Sequence, residues 1–327
     1  MRHSYRMIAT LLLAIAMMIT AAYAQDNPYH EDGWPKFPDG RRLGETSAID
    51  VDRDGNVWVF ERCGANSCVG SNLPPIIKFD RSGRYVTSFG TGMFVFPHGM
   101  HIDKDGNVWV ADGAGKDGKG HQVTKFSPDG KILLALGKAG IAGTGQDTFN
   151  RPSAVTTAPN GDIFVADGHG GESNARIVRF SKDGKFIKAW GKKGSGPSEF
   201  ETLHAIAIDS KGRVFVGDRG NNRIQIFDQE GNYLEEWKQF GRPSAIFIDR
   251  NDMMYVADNQ SDAKNNPGVK RGIRIGSAKD GVVKSLIPGL GLDPGTQSVG
   301  EGVAVDSAGN VFWAETNGMT LRKFVRK

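Results

Sequence analysis

One pattern recurs six times along this chain and leaves few folds open to it. In its clearest copy, Phe96-Pro97-His98-Gly99-Met100-His101-Ile102 leads through Asp103-Lys104-Asp105-Gly106-Asn107 into Val108-Trp109-Val110-Ala111-Asp112. The Asp-Gly-Asn centre favours a tight turn, because Gly and Asn tolerate positive φ. The flanking runs are rich in β-branched and aromatic residues, so the unit reads as two strands around a turn. Indexed on His98, a turn residue lies eight positions on and an acidic residue fourteen positions on. The same offsets fit Ser47, Ser153, His204, Ser244 and Glu301, at start-to-start spacings of 51, 55, 51, 40 and 57 residues. Repeats near this period signal a β-propeller with four strands per blade. The expected fold is therefore all-β, a six-bladed β-propeller.

The third and fourth strands of each blade follow. They are expected at 76–79 and 85–88, 122–126 and 132–136, 176–180 and 186–190, 223–227 and 233–237, and 273–276 and 282–286. Tight-turn signals such as Asp80–Gly83, Ser127–Gly130, Ser181–Gly184 and Asp228–Gly231 separate them. The sixth blade ends on its third strand, Leu321–Val325, so the ring needs a strand from the other terminus. A segment within residues 31–40, around Trp34-Pro35-Lys36-Phe37, is expected to close it. Residues 25–46 then form an N-terminal segment and 47–327 one propeller domain, since blades cannot bury their faces alone. Glycine-rich inserts at 113–120, 137–150, 168–175, 191–202 and 260–272 are expected as loops on the two faces, where function concentrates.

Residues 1–24 read as a signal peptide. Arg2 and Arg6 precede the apolar run Met7–Thr20, and Ala22-Tyr23-Ala24 fits a small-x-small cleavage site. The predicted address is periplasmic or secreted, with no membrane attachment after cleavage. The only cysteines, Cys63 and Cys68, are expected to form a disulfide, which an exported protein can keep. The net charge of +4 falls to +2 without Arg2 and Arg6, and no basic cluster points to nucleic acid. A monomer is expected.

The first strand of a blade lines the channel, so the six index residues should ring the axis. They alternate: Ser47, His98, Ser153, His204, Ser244, Glu301. Blades two, four and six stand about 120° apart in a six-fold ring, so His98, His204 and Glu301 should converge. Two imidazoles and a carboxylate with an open fourth position form the ligand set of a catalytic zinc, and would suit iron(II) or manganese. The competing reading is a set of pore-lining residues that bond to one another or to water. Arg62 and Arg219 follow the acidic residues of opposite blades. They are candidates to grip a substrate carboxylate in bidentate fashion, or else ion-pair with the adjacent acids. Those acids, Glu61, Asp112, Asp167, Asp218, Asp258 and Glu315, occur in every blade and read as architectural. His101 is expected to pack between blades and His121 to lie near the channel mouth. His169, in the loop Asp167-Gly168-His169-Gly170-Gly171, is a general-base candidate on the arginine face.

Pro97-His98-Gly99, Asp105-Gly106-Asn107-Val108-Trp109-Val110, His121-Gln122-Val123, Asp218-Arg219 and Asn222-Arg223-Ile224-Gln225 resemble the NHL-repeat propellers. More narrowly, they resemble the peptidyl-α-hydroxyglycine α-amidating lyase (peptidylamidoglycolate lyase) family, over most of residues 43–327. The resemblance implies a six-bladed propeller of NHL type with axial zinc. It also implies cleavage of a small-molecule or peptidyl carbinolamide to an amide and glyoxylate, a carbon–nitrogen lyase reaction. It puts His98 and His204 on two zinc ligands, and Arg62 and Arg219 on the active-site arginines. Glu301 stands where the family has a third histidine. Gly302 stands where it has a calcium-ligating aspartate, so calcium is not expected. The family's catalytic tyrosine follows an Asp-Gly pair, and here His169 follows Asp167-Gly168 in a longer loop, so the base is either His169 or absent. The rival readings are a non-catalytic NHL propeller that binds a protein or ligand, and a propeller enzyme such as a lactonase or streptogramin lyase.

Overall fold

A computed structural model describes residues 27–37, 40–290 and 300–327. The expected leader at 1–24 lies outside the described residues. Six four-stranded antiparallel sheets form six blades. Their innermost strands are Thr46–Val51, Pro97–Ile102, Pro152–Thr157, Leu203–Ile208, Ala245–Ile248 and Gly302–Val305. The third and fourth strands fall within a few residues of their expected places, at Arg176–Phe180 and Phe186–Trp190 in blade three, for example.

The recurring turn has a local cause. Asp103 Oδ1 accepts the backbone N–H groups of Asp105 (3.0 Å) and Asn107 (2.9 Å), while Oδ2 accepts Trp109 Nε1–H at 3.0 Å. Asp52 does the same for Asn56 and Trp58 in blade one. One carboxylate thus closes the turn and pins the indole beneath it. The core is divided among six apolar clusters, one for each seam between adjacent blades. Tyr255, Trp313 and Phe324 fill the seam between blades five and six, and Phe79, Phe312 and Leu321 the seam between six and one. Each blade buries its faces only against neighbours, so the ring must close.

The closing strand is Tyr29–Asp32, paired antiparallel with Thr320–Arg326, so the expected span of 31–40 is displaced toward the N-terminus. Trp34 and Phe37 do not extend it. Their rings stand edge-on to Phe79 (5.6 and 5.2 Å between centroids), and Trp34 also meets Phe312 at 5.2 Å. They wedge the seam between blades six and one. A second correction concerns residues 113–120. They are not a loose insert but the tip of an extended hairpin, with Gly115 opposite Gly120 and Lys116 opposite Lys119.

Candidate active site

The index residue is the odd one out of its ladder. In blades one to four, pairing skips from Thr46 to Ala48, Pro97 to Gly99, Pro152 to Ala154 and Leu203 to Ala205. Ser47, His98, Ser153 and His204 are therefore bulged residues, and a bulge re-aims a side chain out of the sheet. The next position is small in every blade: Ala48, Gly99, Ala154, Ala205, Ala245 and Gly302. At Gly99 a Cβ would lie 2.5 Å from Ser153 O and 2.7 Å from Ala154 Cα, so the close approach of neighbouring first strands requires glycine there.

The bulges at His98 and His204, with Glu301 just ahead of its strand, bring the expected residues together on the axis. His98 Nδ1 lies 2.7 Å from Ser153 O, and His204 Nδ1 lies 2.6 Å from Ser244 O. A carbonyl can only accept, so both Nδ1 atoms carry the proton and both Nε2 atoms hold a bare lone pair. The serines of the odd blades thus supply the carbonyls that orient the histidines of the even blades. Both Nε2 atoms are buried and have no hydrogen-bond partner. The ring centroids are 4.6 Å apart, and Glu301 Oε1 lies 3.3 Å from His204 Nε2 and 3.9 Å from His98 Nε2.

Burial pushes His98 well below its ordinary value, and His204 and Arg62 add to that; burial and Arg219 lower His204. Burial alone would raise Glu301, but His204, His98 and Arg62 hold it well below the carboxylate range. With both imidazoles neutral and their protons on Nδ1, the set presents three acceptors to one another. Such an arrangement is repulsive unless a cation sits among them, and the donor types suit a borderline metal. Gly302 offers no side-chain oxygen.

His169 stands beside this set. Its ring lies 4.5 Å from that of His98 and 5.0 Å from that of His204. Ligand atoms of His98, His169 and His204 all lie within 4.8 Å of one another. The loop that carries His169 turns through Gly168 (φ +143°), Gly170 (+73°) and Gly171 (+61°), and Ser173 Oγ accepts its backbone N–H at 2.8 Å. Arg219 Nη2 is 3.3 Å from its Nε2 and Arg151 Nη2 is 3.4 Å from its Nδ1. Burial and these charged and imidazole neighbours hold it neutral, well below its usual value.

Neither Arg62 nor Arg219 pairs with its adjacent acid, so that reading falls. Glu61 is met by Arg41 (3.1 Å) and Asp218 by Arg223 (2.9 Å). The acids are architectural as expected. Asp112, for example, accepts the backbone N–H groups of Val95 and Phe96. Arg62 is fixed by Glu45 (2.7 Å), Asn66 (2.7 Å) and Pro97 O (3.1 Å), stacks on Phe96 at 3.8 Å, and turns Nη2 toward Glu301 at 4.0 Å. Arg219 is buried, with no carboxylate in ion-pair range among the described residues and an Nε that has no partner. Burial, with Arg242 and Arg62, lowers it to about 10.

Cys63 and Cys68 form a disulfide, which closes the loop that presents Asn66 to Arg62. His101 bridges blades, with Nε2 2.9 Å from Thr157 Oγ1 and Nδ1 3.5 Å from Asp50. His121 Nδ1 accepts the backbone N–H of Arg151 at 3.2 Å. Glu45, Phe96, Arg151 and Arg242 escaped the sequence reading. All four sit two residues before an index position, a ring that the same offset would have exposed.

Fold and site together define a six-bladed propeller with a donor cluster on its axis and guanidinium groups beside it. Comparisons with known proteins agree. A family model described as a 6-bladed beta-propeller matches residues 148–267. Human NHL repeat-containing protein 3 is 34% identical over 63% of this chain and 58% of its own length. Peptidyl-alpha-hydroxyglycine alpha-amidating lyase 1 of Drosophila melanogaster is 30% identical over 92% of this chain and 60% of its own length. The chain thus spans less than two thirds of either relative. Among solved structures, a gluconolactonase from Xanthomonas campestris superposes with a TM-score of 0.60 at 14% identity. It covers 94% of this chain and 99% of its own, a likeness of fold alone. The chain is a six-bladed β-propeller, similar in sequence to NHL repeat-containing protein 3 and to the amidating lyases.

Proposed function

We propose that this protein is an exported, metal-dependent carbon–nitrogen lyase of the peptidyl-α-hydroxyglycine α-amidating lyase type. It would cleave a small-molecule or peptidyl carbinolamide to an amide and glyoxylate. The observation that carries this reading is the pair of buried, unbonded Nε2 lone pairs of His98 and His204 facing Glu301. The Cys63–Cys68 disulfide and the relatives are consistent with export to a periplasmic or extracellular space.

In this reading His98, His204 and Glu301 hold the metal, with zinc the first choice and iron or manganese compatible. The ion supplies Lewis acidity toward a substrate oxygen. Arg219 and the free edge of Arg62 bind the carboxylate that becomes glyoxylate. The hydroxyl proton must leave, the C–N bond breaks with its electron pair going to nitrogen, and that nitrogen takes up a proton. His169 is neutral and placed to accept the first proton and return it to the nitrogen. Burial is the main cause that depresses His169, and a carboxylate bound to Arg219 would offset one of the lesser charges that add to it.

Two features favour other readings. Ligand atoms of His169 fall within the metal-capable group, which would make it a fourth donor instead of a base. The similarity to an NHL repeat-containing protein supports a non-catalytic binding propeller. Metal analysis of protein purified without added metal, paired with a glyoxylate assay on an N-acyl-α-hydroxyglycine, tests the proposal. Stoichiometric metal with glyoxylate release is expected. Absence of both would leave the binding module.

A further inference from the structure

Arg151 occupies a backbone conformation that suits it poorly. Its φ is +66°, the left-handed region that disfavours a long side chain, and it precedes Pro152, which restricts it further. Neighbours enforce the geometry: its N–H donates to His121 Nδ1 at 3.2 Å, and its carbonyl accepts Gly168 N–H at 3.1 Å. His121 itself has φ +52°. Gly or Asn would hold this turn at lower cost, so the identity of the side chain calls for its own explanation.

The guanidinium reaches His169 from the side opposite Arg219, with Nη2 atoms 3.4 Å and 3.3 Å from the two ring nitrogens. A neutral imidazole offers one lone pair, so it can satisfy only one of the two donors. Among the described residues no carboxylate lies in ion-pair range of either arginine. Glu45 pairs with Arg62, and the charge of Glu301 is shared between Arg62 and Arg219. Arg242 adds a fourth guanidinium from blade five and holds Arg219 in place through its carbonyl at 2.9 Å. Asp258 and Asp262 act on Arg242 and Glu301 on Arg219, which leaves Arg151 as the guanidinium beside His169 that no carboxylate among the described residues answers.

We propose that Arg151 is a specificity residue that binds a second anionic group, carried on the acyl side of the substrate. The inference rests on the lyase reading above and narrows it to dianionic N-acyl-α-hydroxyglycines over neutral acyl compounds. Arg62 and Arg219 take the carboxylate of the glycine unit. Arg151, on the far side of His169, takes the second.

Calorimetric titration of the metal-loaded protein with N-succinylglycine and N-acetylglycine tests this without turnover. The two-carboxylate compound is expected to bind roughly tenfold to a hundredfold tighter, as one charge-assisted contact implies. The ratio should collapse toward one in Arg151→Gln and persist in part in Arg151→Lys. Arg151→Gly, which relaxes the backbone, guards against misfolding and should collapse the ratio equally. Equal affinities in the wild type, or a ratio unmoved by Gln and Gly, would overturn the proposal. Parallel glyoxylate assays on the two α-hydroxy analogues keep the readings apart. A binding preference without glyoxylate sinks the lyase and keeps the dianion site. Equal turnover and equal binding of both sinks the dianion site alone.

Discussion

His204 Nε2 and Glu301 Oε1 face each other at 3.3 Å, while the other ring nitrogen of His204 is bonded to Ser244 O. In the neutral Nδ1–H form of His204 these are two acceptors, a pair that a metal ion between them would satisfy. His98→Ala and His204→Ala are therefore expected to abolish stoichiometric metal. The loss of affinity should exceed the roughly 10–100-fold that removal of an outer hydrogen bond to a ligand costs. Elemental analysis after dialysis reads this directly, and full metal retention in both variants would refute the site.

His169→Ala separates base from ligand. If His169 handles the proton, the variant keeps its metal and kcat falls by about 10²–10⁴-fold. If it is a fourth donor, as its proximity to His98 and His204 allows, metal and activity are lost together. Metal content and kcat measured on one preparation decide between them.

Arg219 is a buried cation awaiting a partner. Arg219→Met should raise KM by roughly tenfold to a hundredfold through loss of a charge-assisted contact. It should also make His169 easier to protonate, since one of the charges that depress it is gone. The acid limb of the kcat/KM profile is then expected to move to higher pH. A KM within twofold of wild type would show that the carboxylate binds elsewhere.

The alternation Ser47, His98, Ser153, His204, Ser244, Glu301 was legible because a propeller places equal offsets at equal radius. The bulge that aims those side chains was not, since nothing in Pro97-His98-Gly99 marks a skipped pairing. The role of Ser153 and Ser244 was hidden because they act through carbonyls, which every residue has. His169 was placed on the arginine face, but its distance from His98 and His204 was not legible, because the reach of a glycine-rich loop depends on its φ angles. The closing strand was misplaced for a different reason. Tyr29–Asp32 is an edge strand that buries only its tyrosine, so it lacks the apolar content of Trp34 and Phe37 that drew the sequence reading.

Asp112 carries a pH prediction. Its carboxylate is buried and raised to about 6, with burial the dominant cause and backbone N–H groups only partly opposing it. A folded-state value above the unfolded one means a contribution present below about pH 4 and lost as pH rises through 6. From 3.8 to about 6 is roughly two units, so at most about 3 kcal/mol is involved. Asp112→Asn does not titrate. Urea unfolding at pH 4 and pH 7 should show the stability advantage of wild type over the variant shrinking as pH rises. A widening advantage would mean that the carboxylate is stabilised ionised.

The last prediction concerns ring closure. Tyr29 packs with Tyr255, Trp313 and Phe324 in the seam between blades five and six, while Glu31 and Asp32 reach Arg322 and Lys323 on the outer face. The two kinds of contact should differ sharply in weight. Tyr29→Ala opens a buried seam and is expected to cost about 3 kcal/mol. Glu31→Gln removes an exposed ion pair and should cost about 1 kcal/mol or less. Both are read from urea midpoints at constant slope. If Tyr29→Ala is as mild as Glu31→Gln, the N-terminal strand decorates a ring that closes without it. If Tyr29→Ala also lowers the apparent slope for unfolding or splits the transition, blade six melts separately from the other five.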